Sequence, residues 1–310
     1  MNLRKKKVLV TGATGFIGTH LVRELLEKGC AIRILCLPEE LDKLRQLKGR
    51  VECVKGDICG PLGKAVRNCE VVLHLAGLTD VLSCSKYPEK AFRINTQGTF
   101  NLLRSLEPSK LEKFIHLSTA AVYGVPLYLP IDEKHPTIAA NPYSASKLAA
   151  ESFVTAFGAT YGLNYSVIRL FNVYGPGQEG NFFIPTMVKQ SLAKDEVKLE
   201  NSDTTRDFVY IGDVVDGILK VAEKGKNEIY NLGGGKEVPV SRVIYEVAGI
   251  LKKKIRVKVM NINRSNIPRN RADISRIKKE AGWSPRTALR AGLERTVSYW
   301  ITKLQKQESA

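Results

Sequence analysis

The chain has 310 residues with a formal charge of +17, and 44% of them are hydrophobic and 25% charged. These proportions exclude a disordered, collagen-like or repeat-biased chain, and the length allows one large domain or two that share a cleft. No stretch reaches the roughly 18 consecutive apolar residues of a membrane helix, and the apolar run after the basic start MNLRKKK is too short for a secretion signal.

Six cysteines (30, 36, 53, 59, 69 and 84) fall in the first third without paired metal-ligand spacing. They imply reduced thiols in a cytoplasmic protein and no metal centre. Four histidines scattered at 20, 74, 116 and 135 make no zinc cluster either. The basic runs Arg4–Lys7 and Lys252–Lys258 attract anions. With no nucleic-acid-binding module beside them, they are expected to form a solvated surface suited to a phosphate-bearing small substrate.

In chain order, KVLV (7–10) reads as a buried strand, followed by TGATGFIG and the amphipathic helix THLVRELLEKG. Further strands are expected at AIRILCL (31–37), VECVKGD (51–57), EVVLHLA (70–76), KFIHLST (113–119) and NYSVIRLFNV (164–173), with helices between them. Unbroken apolar runs separated by helices predict an α/β fold with a doubly wound parallel sheet covered on both faces. After residue 175 the rhythm loosens. Helices are expected at FFIPTMVKQSLAK, VVDGILKVAEKG, SRVIYEVAGIL, ADISRIKKEAGW and ALRAGLERTVSYWITKL, with strands at EIYNLG and IRVKVM. Residues 1–175 are therefore expected to be mainly a dinucleotide-binding domain. Residues 176–310 are expected to be a smaller α/β substrate lobe, interleaved with it and returning some segments to the main sheet. Trp283 and Trp300 read as core anchors of that lobe.

Gly12, Gly15 and Gly18 lie between the first strand and the first helix, with Phe16 and Ile17 in the same turn. The first glycine permits a tight turn, the second close approach of a pyrophosphate and the third helix–sheet contact, so the sheet is expected to be Rossmann-type and to bind NAD or NADP. The second strand ends without the acid that usually reads the ribose: Arg33, Leu35, Cys36, Leu37 and Pro38 precede Glu39 and Glu40. Arg33 favours NADP, whereas Glu39 would serve NAD if its loop folds inward; both stay open. Asp57, followed by Ile58, is placed to accept from the adenine amino group or to cap the next helix.

Tyr143 and Lys147 are four apart in NPYSASKLAAE, hence on one helical face. A tyrosine is a weak base for a sugar hydroxyl unless a neighbouring ammonium stabilises its phenolate. Thr119 or Ser118, at the end of the fifth strand, would donate to the same oxygen.

With these motifs the chain resembles the extended short-chain dehydrogenase/reductase family, in its nucleotide-sugar epimerase/dehydratase branch. TGATGFIG resembles that family's phosphate turn, and HLAG (74–77) its motif beside the cofactor, which puts Leu75, Ala76 and Gly77 there. Asn95 in NTQGTFNLL matches an asparagine that supports the site. In STAAVYG the catalytic hydroxyl is Thr119, and Tyr143 and Lys147 fall on the catalytic pair. RLFNVYGPGQ places Asn172 by the substrate pyrophosphate, and NFFIP places Phe182 in the nucleotide pocket. RDFVYIGDVV and NRSNIPRNRADISR give Arg206 and Arg264 as phosphate ligands, whose planar forks match phosphate oxygens. Ser265 and Asn266 replace a proline–glycine pair after the latter arginine.

The resemblance also separates reactions. The dehydratases carry an Asp–Glu pair directly after the catalytic threonine; here Ala120 and Ala121 stand there. This leaves a nucleotide-sugar 4-epimerase, with transient C4 oxidation by NAD, ahead of an NADPH-dependent 4-keto-sugar reductase. A non-catalytic NAD(P)-binding protein is a remote third reading. AGL at 76–78 resembles galactose-type epimerases, but Cys84, between Ser83 and Ser85, takes the usual serine position. The family pattern implies a homodimer through the segments 88–106 and 143–161.

Overall fold

The computed structural model describes residues 1–47, 49–180, 182–260 and 267–308. Its first half builds β1 (Lys7–Thr11), α1 (Phe16–Glu27), β2 (Ala31–Cys36), β3 (Glu52–Lys55), α2 (Gly63–Val66) and β4 (Val71–His74). Then follow α3 (Val81–Lys86), α4 (Pro88–Ala91), α5 (Gly98–Ser105), β5 (Lys113–Thr119), α6 (Pro142–Tyr161) and β6 (Tyr165–Leu170). The second half holds β7 (Asn172–Tyr174), α7 (Phe183–Ala193), β8 (Glu196–Leu199), β9 (Thr205–Arg206), β10 (Phe208–Tyr210) and α8 (Ile211–Lys224). It ends with β11 (Ile229–Leu232), β12 (Val238–Pro239), α9 (Val240–Leu251), β13 (Arg256–Val259), α10 (Ser275–Ala281) and α11 (Leu289–Glu308).

Among the described residues, seven strands form one parallel sheet in the order β11-β6-β5-β4-β1-β2-β3. Side chains alternate across a pleat, and β1 shows the result. Val8 and Val10 enter the core under α1, α8 and α10, while Leu9 enters the opposite core under α2, α5 and α6. A sheet covered on both faces has to be apolar on both, which is why the strands read as unbroken runs.

The run NYSVIRLFNV does not make one strand. β6 stops at Leu170, and β7 leaves the sheet to pair with β10, Asn172 facing Phe208. Pro38–Leu47 forms a 3-10 helix, and Phe92–Gln97 a π-helical turn that carries Asn95. Helix α6 is closed at both ends: Asn141 and Ser144 make a capping box, Pro142 sits in the first turn, and Gly162 ends the helix at φ +69°.

The smaller lobe packs α7, α9 and α11 around Val243, Leu293 and Trp300, with β8 and β13 paired beside them. Trp283 belongs elsewhere. It is fully buried in the main-sheet core, where its indole donates to the Asp213 carbonyl of α8 at 2.9 Å. No described helix is long and apolar enough to cross a membrane, and no trio of His, Cys, Asp or Glu among the described residues is grouped to hold a metal ion.

Candidate active site

The turn after β1 is shaped by what a side chain would strike. Gly12 has φ +71°, and a Cβ on it would lie 2.7 Å from both the Ala76 nitrogen and the Leu75 carbonyl carbon. A Cβ on Gly18 would enter the Gly12 carbonyl oxygen and lie 2.7 Å from the Ala13 Cα. Gly15 caps α1 with no side chain over the helix end, so the first-turn amides at Phe16, Ile17 and Gly18 face outward, where an anion is favoured. The cradle fits a dinucleotide pyrophosphate. Leu75, Ala76 and Gly77 run beside it, tied to β1 through Leu75 N to Thr11 O (3.1 Å) and Ala76 N to Thr11 Oγ1 (3.2 Å).

At the second strand the structure corrects the expectation for Arg33. The residue is 5% exposed and sits in mid-strand, paired with Leu9 and Glu52 rather than at the β2 tip. Its guanidinium turns under the sheet, donating to the Ala65 carbonyl (3.1 Å) and the Arg67 carbonyl (2.5 Å), and pairs with Glu52 at 2.9 Å. It offers nothing to a ribose 2′-phosphate. The tip itself presents Cys36, then Glu39 and Glu40 in the following 3-10 turn. Glu40 lies close enough to Cys36 to help push its thiol up, after burial, to about 11.

Asp57 is exposed and accepts from the Cys59 amide at 2.9 Å; it does not cap α2. The side chain of Ile58 packs into the core against Gly98. Asn95 is fully buried and its amide is engaged by the protein. Its Oδ1 accepts from Leu78 N (2.7 Å), and its Nδ2 donates to Leu78 O (3.0 Å) and Ser146 Oγ (2.9 Å). It braces the segment after β4 against α6 instead of reaching a ligand.

Tyr143, Lys147 and Thr119 come together where α6 crosses the end of β5. The Thr119 hydroxyl lies near enough to the Tyr143 phenol to oppose the effect of burial on it. Lys147, buried, donates to the Leu117 carbonyl at 2.6 Å. Burial holds the Tyr143 phenol up at about 12, opposed by Thr119 and reinforced by nearby Cys84. Burial also pushes Lys147 down to about 8, opposed by Glu151. Both shifts disfavour the charged forms, the condition of a site built for proton transfer rather than for a surface pair.

On the far side, Asn172 is half-buried and donates to the Asp207 carbonyl at 3.2 Å. Arg206 bonds the carbonyls of Thr205 (2.7 Å) and Ile267 (3.0 Å), and Phe182 stands 45% exposed before α7. Arg264 lies outside the described residues.

Ser118, the alternative donor to Tyr143, gives its hydroxyl to Glu151 instead, and other site neighbours carry no role assigned from the sequence. Ser118, Glu151 and Arg169 form a buried network beneath Lys147; the one sequence signal for it is the spacing of Glu151, four residues after Lys147 and so on the same helix face. His74 is bonded to Thr11 (2.7 Å) and Thr99 (2.9 Å), and burial pushes it down to about 3; its ring lies 5.3 Å from that of His116.

Residues 8–233 match the NAD dependent epimerase/dehydratase family. The UDP-glucose 4-epimerase of Mycolicibacterium smegmatis is 30% identical over 317 residues, covering 96% of this chain and 100% of that protein. The GDP-6-deoxy-D-mannose reductase of Pseudomonas aeruginosa is 30% identical, covering 97% of this chain and 99% of the other. Among solved structures, the UDP-glucuronic acid 4-epimerase of Bacillus cereus, in complex with UDP-glucuronic acid and NAD, superposes with a TM-score of 0.88 at 29% identity, covering 96% and 99% of the two chains. A seven-stranded parallel sheet, a glycine cradle and a Tyr–Lys pair set at the end of its fifth strand place this chain in the NAD dependent epimerase/dehydratase family of nicotinamide-dependent enzymes.

Proposed function

We propose that the protein is a nucleotide-sugar 4-epimerase that works by transient oxidation at C4. The observation that carries this reading is the meeting of Tyr143, Thr119 and Lys147, followed directly by Ala120 and Ala121. Hydride transfer and one proton are provided for, while methyl groups stand at the positions where an elimination would need an acid and a base.

NAD bound on the glycine turn supplies the acceptor and donor of the C4 hydride. Tyr143 takes the C4 hydroxyl proton and later returns it. Lys147 and Thr119 stabilise the phenolate this requires, against a burial that alone keeps the phenol neutral. Asn172 and Arg206 hold the diphosphate while the sugar turns its other face, with Arg264 as the second arginine of the family pattern. With Arg33 engaged under the sheet and Glu39 and Glu40 following the β2 tip, the adenosine end repels a 2′-phosphate, which supports NAD over NADP. A second copy of the chain is proposed to pack on α6 and the 92–97 turn, where Phe92, Phe153 and Tyr161 are exposed and Phe100 lies 5.1 Å from Phe153.

The test releases and identifies the bound dinucleotide, then incubates the protein with UDP-, dTDP-, GDP- and CDP-sugars. Redox-neutral interconversion of two C4 epimers without added coenzyme supports the proposal. Stoichiometric NADPH consumption on a 4-keto nucleotide sugar would instead make it a reductase, like the Pseudomonas relative.

A further inference from the structure

Helix α6 meets three consecutive residues of β5, and each contact comes from one face of the helix. Tyr143 meets Thr119, Lys147 donates to the Leu117 carbonyl at 2.6 Å, and Glu151 accepts from the Ser118 hydroxyl. The rungs are one helical turn apart. Glu151 is also gripped by Arg169 of β6, whose Nε lies 3.2 Å from both carboxylate oxygens and whose Nη2 lies 2.7 Å from one. Arg169 in turn stacks 4.6 Å from the Tyr123 ring centroid.

A buried ion pair of this kind costs more to desolvate than apolar residues of the same volume, so packing alone is a weak reason for it. Its position suggests another. The groups whose charge Lys147 feels are Glu151 from its own helix, His74 from β4 and His116 from β5, with Tyr143 one turn earlier on the same helix face. Both histidines are kept neutral by burial. Glu151 supplies the negative charge among them, with Arg169 behind it.

We propose that Glu151 is a positioning residue for proton transfer: clamped by Arg169 and Ser118, it fixes the register of α6 on β5 and keeps the Lys147 ammonium charged beside Tyr143. The proposal rests on the reading of Tyr143 and Lys147 as the proton-transfer pair of an epimerase.

The experiment reads Lys147 directly and needs no substrate. The full chain is labelled with [ε-13C]lysine and titrated by NMR, with Lys147→Met supplying the assignment. In Glu151→Gln the Lys147 midpoint falls by about one pH unit or more. On a turned-over sugar the alkaline limb of kcat/KM moves by the same amount, with KM little changed. Should Glu151→Gln fail to fold, Arg169→Gln leaves Glu151 to face Lys147 without its other cation and moves the midpoint upward. An unmoved midpoint in whichever variant folds overturns the proposal. A shifted midpoint with no turnover of any nucleotide sugar would sink the epimerase reading and leave Glu151 in its assigned place.

Discussion

The Ala121 amide donates to Thr119 Oγ1 at 3.2 Å, and this bond decides what the Thr119 hydroxyl can do next. With a lone pair taken by the main chain, its proton is left to serve the Tyr143 phenol, whose shift by burial Thr119 opposes. Thr119→Val removes that donor at nearly constant volume. Hydrogen bonds to charged groups contribute about 1.5–3 kcal/mol, so kcat should fall roughly ten- to a hundredfold while the bound dinucleotide is retained. Thr119→Ser should restore most of the loss. Steady-state kinetics on the three proteins checks this, and a Thr119→Val enzyme with normal kcat would remove Thr119 from the proton path.

Lys147 trades stability for chemistry. Its ammonium titrates at about 8 in the folded chain against an ordinary 10.5, because burial opposes the charge. Between those values the unfolded chain binds the extra proton, so the contribution of this residue to stability rises with pH through the window; below pH 8 both states are charged and the burial cost is complete. Lys147→Met should therefore raise the unfolding free energy at pH 7 by about 1–3 kcal/mol while abolishing turnover. Denaturant melts at pH 7 and 10 should show the advantage shrinking at the higher pH.

The correction at Arg33 has its own consequence. If the guanidinium serves Ala65, Arg67 and Glu52, then Arg33→Met should leave the preference between NAD and NADP unchanged. Its cost should appear in stability, about 1–3 kcal/mol for the buried carbonyls left without a donor. Coenzyme titrations beside a thermal melt separate the outcomes; a changed preference with an unchanged melt would return Arg33 to the adenosine site.

His116 is fully buried, and neither ring nitrogen has a hydrogen-bond partner. Burial pushes it well below 6.5, and His74 is lowered in the same direction to about 3. As pH falls below 6.5 the unfolded chain takes protons that the folded chain refuses, so the stability these residues contribute above that pH is lost toward acid. His116→Leu should raise stability at pH 7 by about 1–3 kcal/mol and flatten the fall between pH 6.5 and 4. A steeper acid limb in the variant would show that the imidazole is satisfied in solution.

Much of the architecture could be read from the chain because its periods are local. Unbroken runs such as KVLV have to be strands buried on both faces, and three glycines directly after one of them have few other uses. For Arg33, distance from a strand end does not reveal which face a side chain takes; alternation along β2 sends it under α2. The break at Phe171 was equally hidden, since an apolar run continues whether or not the strand stays with its sheet. The role of Glu151 is hidden for a different reason. Nothing in KLAAE shows that Arg169, on another element, closes around it, and only the parallel packing of β5 and β6 under α6 brings the pair together.

The edge strand β11 ties the two halves of the protein together in time as well as in space. It joins β6 only after the chain has already made α7 and α8, and its Asn231 receives the Tyr123 hydroxyl at 2.7 Å. A ribosome therefore cannot deliver the finished seven-stranded sheet before the chain has emerged past Leu232. The same thread limits recombination between relatives: a transplanted second half has to bring an edge strand that fits the host sheet and an acceptor for Tyr123, or the sheet is left open beside β6.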